Sequence, residues 1–177
     1  GHNLSMAFSA HGRIFSSLNP HAGAIGRVRF CQDMGASNEY TPTLSELCGS
    51  AGIVQQALTS QVSHWDPDVS IYQIINAARN ADPYAIEILS KAGTNLGHHL
   101  APYIHLLRQE AIILGFPGAL AGEIFSEPVF KAAQDSTGLG LDEMPKIIPS
   151  ALGNRLPDLQ ALAPAIYATR SQGKLSQ

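Results

Sequence analysis

The stretch His21-Ala22-Gly23-Ala24-Ile25-Gly26-Arg27 sets two glycines three residues apart among small neighbours. Without a Cβ, a glycine lets its backbone come close to another surface, so the spacing predicts a close approach. Around that frame stand an imidazole, His21, and a guanidinium, Arg27. A guanidinium is a permanent cation that donates hydrogen bonds, pairs well with phosphate or carboxylate and cannot ligate zinc. The stretch holds no carboxylate. It reads as a binding loop, or as the frame of one whose chemistry has gone.

Other residues of chemical type form weaker groupings. His98, His99 and His105 fall in one helical segment, and His98 and His105 share a face at a spacing of seven. No carboxylate lies in register with them, so they read as surface or interface residues. Asp66 and Asp68 in "HWDPD" fit a solvated turn better than a metal site, with Trp65 as a packing anchor. No serine or cysteine string resembles a nucleophile with its base. No catalytic residue, cofactor or metal is therefore expected in this chain.

The elements that must position these residues follow from periodicity. Leu4, Met6 and Phe8 alternate with Asn3, Ser5 and Ala7 as a strand does, His11-Gly12 makes a turn, and residues 13–16 begin the return strand. The chain enters this strand without a lead-in, as the second half of a longer protein would. Residues 31–42 form a loop, and Thr43-x-x-Glu46 is a capping box opening a helix expected to reach about Thr59. A connector at 63–70 precedes a short helix through Ala77 and Ala78.

Asp82-Pro83 opens the longest helix, with apolar positions Ala85, Leu89, Ala92, Leu96 and Leu100 and a kink expected at Pro102. The run 111–115 predicts a strand buried on both faces. A helix over 122–134, a strand over 146–150 and a last helix over 157–170 complete an α/β order without repeats.

Composition bounds the function. The chain has 177 residues, enough for one domain, with 45% hydrophobic and 14% charged residues and a net charge of −3. Such low charge fits a surface hidden against a partner or a second copy. The 11 lysines and arginines are scattered, so no footprint for a phosphate backbone exists and direct DNA contact is not expected. Two cysteines make no disulfide framework, which places the protein in the cytoplasm. No apolar run reaches the roughly 18 residues of a membrane span.

Four strings in order resemble the ROK family of repressors and sugar kinases: "NLSMAFSAHGRIFSSLNPHAGAIGR", "TLSELCGSAGIVQQAL", "NLGHHLAPYIHLLRQEAIILGFPGALAG" with "EPVFKAAQ", and "KIIPSALG". The resemblance covers nearly the whole chain but only the second half of a full member. It implies an actin-like, RNase-H-like ATPase lobe, the C-terminal one, built on a hairpin-started mixed sheet with flanking helices. Family kinases carry glycines where this chain has Asn3 and Ser5. In their Ala-Gly-Glu-Ile-Gly-His pattern, the Glu and His serve the sugar, and here those positions hold Ala24 and Arg27. Their second sugar-binding Glu falls on Ser45, and their cysteine-rich zinc loop retains only Cys31, with Cys48 inside the next helix.

What the resemblance implies for this chain follows residue by residue. His21, Arg27 and Ser45 are the candidate ligand-binding residues, and Gly115 and Gly118 in "ILGFPGALAG" fall where nucleotide sits in the family. Phe116 and Pro117 depart from the small residues usual there, as Leu156, Pro157 and Gln160 depart near the last helix. The kinase's catalytic Asp and first phosphate turn belong to the other lobe. The expected role is ligand sensing and homodimerisation in a transcriptional regulator. The ligand would be a sugar or sugar-derived metabolite, and DNA would be reached only through a region outside this chain. The alternatives are the C-terminal lobe of a divergent sugar kinase and a purely structural dimerisation module.

Overall fold

In the computed structural model, which describes residues 4–15, 21–29, 41–60 and 64–155, the opening hairpin is shorter than its sequence pattern. Strands β1 (Ser9–Ala10) and β2 (Arg13–Ile14) pair antiparallel around His11 and Gly12. Both turn residues are left-handed, at φ 51° and 71°, the geometry that matches the twist of two joined strands. Residues 4–8 do alternate between half-buried and exposed as a period of two predicts. Their backbone, however, is directed to the turn at 23–26 and not to a longer ladder.

The capping box forms. Thr43 N donates to Glu46 Oε2 at 2.7 Å, and Glu46 N returns to Thr43 Oγ1 at 3.4 Å. The single helix expected from it is instead two, α1 (Leu44–Cys48) and α2 (Ser50–Thr59), broken at Gly49, whose ψ is 159°. The break lets α2 fold back across α1, where a Cβ on Gly52 would stand 2.2 Å from Glu46 O. The carbonyls left open at the end of α1 are taken by Gln56, whose Nε2 donates to Glu46 O at 3.0 Å and Leu47 O at 2.9 Å.

Helix α3 (Ile71–Arg79) carries a second capping box, Ser70 with Gln73. Helix α4 (Pro83–Leu107) starts as its sequence predicts, with Asp82 Oδ1 accepting from Ala85 N at 2.8 Å. All five predicted apolar positions are buried, and the helix continues through exposed Pro102 to Leu107, where left-handed Arg108 caps it.

Strand β3 (Ala111–Leu114), helices α5 (Gly118–Ala121) and α6 (Glu123–Thr137) and strand β4 (Lys146–Pro149) follow. The two strands are parallel, with Ile112 opposite Ile147 and Ile113 opposite Ile148. Burial of β3 on both faces is not observed. Ile112 and Leu114 turn to the core, whereas Ile113 is 67% exposed, because helices cover one face of this two-stranded layer. Helices α4 and α6 meet over Gly93 and Gly97, and a Cβ on Gly97 would lie 2.4 Å from Val129 O.

The α/β class holds. Among the described residues, though, the strands form two separate two-stranded sheets and not one hairpin-started mixed sheet, since residues 4–6 pair with the 23–26 turn. Residues 31–40 of the loop predicted over 31–42, and the last helix predicted at 157–170, lie outside the described residues. No helix among the described residues is long and apolar enough to cross a membrane.

Candidate functional site

The close approach predicted by Gly23 and Gly26 is real, and the chain itself makes it. Gly23 sits at φ +78°, and a Cβ there would stand 2.1 Å from Met6 O. Gly26 is buried against segment 4–6 and α1, where a Cβ would meet Ser45 Oγ at 2.1 Å and Leu4 O at 2.7 Å. Main-chain bonds lock the contact, with Met6 N donating to Gly23 O at 2.8 Å and Gly26 N to Leu4 O at 3.0 Å. Within the turn, Ala24 N, Ile25 N, Arg27 N and Val28 N donate to His21 O, Gly23 O, Ala24 O and Ile25 O. Every amide from Ala24 to Val28 therefore has an acceptor inside the chain.

The turn is tied to α1 by Leu44 N donating to Val28 O at 2.9 Å and by a bridge between Arg29 and Thr43. Three sequence-predicted residues come together here. Arg27 Nη1 approaches His21 Nδ1 to 3.4 Å, both side chains being exposed. Half-buried Ser45 accepts from Leu4 N at 3.2 Å, which leaves its own hydroxyl proton to donate. Ala24 offers no side-chain acceptor. Among the described residues, no carboxylate pairs with Arg27. Ser5 is exposed, and Asn3 lies outside the described residues.

Gly115 and Gly118 are not part of this cluster. They follow β3, and α5 packs on α3, α6 and β4. Gly118 is a packing position, since a Cβ there would stand 3.0 Å from the Phe125 ring and 3.3 Å from Leu114. Gly115 O accepts from Ala119 N at 2.8 Å and Pro117 O from Leu120 N at 3.0 Å, after a cis Phe116–Pro117 bond. The ring of Tyr72 of α3 packs at a tilt against Phe116 with ring centroids 5.2 Å apart, and Arg79 donates to Leu120 O. Sequence reasoning missed both contacts, for which no local signal exists. It also missed the Ser70–Gln73 box, whose Ser-x-x-Gln spacing is a legible one.

His98 and His105 lie at the surface as expected, and each also has a partner across the α4–α6 seam. His98 Nδ1 lies 2.7 Å from Ser136 Oγ and His105 Nε2 lies 3.2 Å from Thr137 O, so both fasten α4 to the end of α6 within one molecule. His99 is buried with Nδ1 2.9 Å from Asn95 O, and burial lowers its pKa. Asp66 and Asp68 are exposed in a turn, and Trp65 packs against the core as an anchor. The Cys48 thiol is buried and pushed up to about 12, which makes it a poor nucleophile. Cys31 lies outside the described residues. Among the described residues, no group of three or more His, Cys, Asp or Glu could hold a metal ion.

Residues 42–155 match the ROK family. This range includes three of the four resembling strings but not the 21–27 turn. No curated protein matches the chain. Solved structures do. A ROK family glucokinase from Streptomyces griseus, in complex with glucose and AMPPNP, is similar at TM-score 0.70 and 17% identity, over 88% of this chain and 55% of that one. A ROK family transcriptional regulator homologous to the E. coli MLC protein is similar at TM-score 0.70 and 21% identity, over 84% and 39%. A ROK family protein from Streptococcus pneumoniae TIGR4 in complex with sucrose is similar at TM-score 0.64 and 18% identity, over 88% and 52%. The chain thus spans about half or less of the length of these proteins.

Proposed function

The chain belongs to the ROK family, and from that premise we propose that it is the C-terminal, ligand-sensing lobe of a transcriptional regulator. It binds a sugar or sugar-derived metabolite at the 21–27 turn without phosphorylating it. The observation that carries this reading is a turn whose Gly23–Gly26 frame is intact while Ala24 and Arg27 stand on it. A family kinase has a sugar-binding carboxylate and imidazole at those positions. His21, Arg27 and Ser45 contact the ligand. The protein acts in the cytoplasm as a homodimer, and DNA is reached through a region outside residues 1–177.

The second reading, a lobe of a divergent sugar kinase, is favoured by the likeness to the glucokinase, which matches as well as the regulator does. In that reading Gly115 and Gly118 adjoin the nucleotide. The two readings separate in one experiment on the full-length protein: a thermal-shift screen with sugars and sugar phosphates, with ATP hydrolysis measured in parallel. A regulator gives a ligand-dependent rise in melting temperature with no sugar-dependent hydrolysis. Sugar-dependent hydrolysis of ATP overturns the sensing reading in favour of the kinase. No rise with any sugar overturns ligand sensing in favour of a structural role.

A further inference from the structure

The 21–27 turn has already used much of its main chain. The amides of Ala24 to Val28 all donate within the chain, and the carbonyls of His21, Gly23, Ala24 and Ile25 all accept. What a ligand meets there is mainly side chains. Arg27 presents a guanidinium, the hydroxyl of Ser45 keeps a proton to donate, and Ala24 offers nothing. Arg27 is exposed, touches His21 and pairs with no carboxylate among the described residues.

A neutral sugar is a poor match for such a surface. Each of its hydroxyls is a donor as well as an acceptor, and a site that holds several of them needs acceptors of its own. A surface dominated by donors, one of them a fixed cation, matches a group that only accepts. Phosphate and carboxylate are such groups, and guanidinium binds either through two parallel hydrogen bonds.

Resting on the reading of this turn as the ligand site, we propose that the ligand carries an oxyanion on a sugar-sized body and that Arg27 selects it. His21 flanks the guanidinium and sets which way it points. Ser45 donates to the body of the ligand, and main-chain bonds tie the turn that carries His21 and Arg27 to segment 4–6 and to the helix that carries Ser45.

Calorimetry on the full-length protein tests this with glucose, glucose 6-phosphate, glucuronic acid and inorganic phosphate as probes. The expected result is that one anionic sugar binds at least tenfold more tightly than glucose, and the tighter of the two tells phosphate from carboxylate. Arg27→Gln then loses about tenfold to a hundredfold for the anionic sugar, with glucose changed less than threefold. Arg27→Lys recovers part of the loss, because charge returns without the two-pronged geometry.

Equal binding of glucose and both anionic sugars overturns the inference while leaving a sugar-sensing lobe intact. Inorganic phosphate binding as tightly as glucose 6-phosphate overturns it as an adventitious ion only. If no probe binds, the sensing reading itself fails. The wild-type comparison stands even where a variant fails to fold.

Discussion

Two pairs of glycines do the same geometric task in two different settings. Gly23 and Gly26 let an extended segment, residues 4–6, lie on a turn, and Gly93 and Gly97 let α6 lie on α4. Around the first pair the contact is held by main-chain hydrogen bonds, and the neighbouring side chains of His21, Ala22 and Arg27 are exposed. Around the second pair it is held by apolar packing, with Leu96, Leu100, Phe125, Val129 and Ala133 all buried. The difference teaches where a sequence is free to change. A turn fixed by its backbone tolerates a new side chain at each exposed position, whereas a helix seam constrains every residue facing it. The family match at 42–155 contains the seam and stops short of the turn, where Ala24 and Arg27 stand.

Substitutions can break this comparison or sharpen it. The largest effect is expected from Gly97→Ala, whose new methyl would meet Val129 O at 2.4 Å and Ala132 Cβ at 2.7 Å. Overpacking at a helix seam should lower global stability by roughly 2–3 kcal/mol, read as the urea unfolding free energy. Gly23→Ala combines a left-handed backbone with a clash on Met6 O and should cost about 1–2 kcal/mol. That loss should fall on the turn, as faster amide exchange at Met6 and Gly26, with the global midpoint shifted less than by Gly97→Ala. Equal global losses for the two would remove the distinction between the regions.

Thr43→Ala removes the capping box at the start of α1 and should lower stability by about 1 kcal/mol, measured in the same assay. The smallest effect is one of pH. Burial lowers the pKa of His99 from its ordinary 6.5, so the unfolded chain binds that proton more readily than the folded one. Stability from this residue is full at and above neutral pH and declines as pH falls through the region of 6.5. A urea series on either side of neutrality should show the decline, and His99→Gln should flatten it.

Local signals in the sequence carried as far as local physics decides. Thr43 and Glu46, Asp82 and Pro83, and the His11-Gly12 turn all act over three or four residues, and each is placed as its chemistry predicts. The misses are long-range. Gly49 ends a helix because α2 must fold back on Glu46, and nothing near Gly49 records that requirement. His98 and His105 fasten α4 to Ser136 and Thr137, more than 30 residues away, so their spacing of seven marked a face but not its partner. At the site, the types of His21, Arg27 and Ser45 were legible. Their convergence was not, because it depends on Leu4 and Met6 lying across the turn.

The pairing of Ile113 with Ile148 has a consequence for how the protein behaves in a test tube. The two side chains stand opposite one another on the open side of a two-stranded layer, at 67% and 45% exposure. A pair of neighbouring strands with a greasy outer side is sticky toward its own kind. Crowding, rather than heat, then sets the practical ceiling on handling. Dilute samples should scatter light as single particles, and concentrated ones should cloud at temperatures where the fold itself is intact.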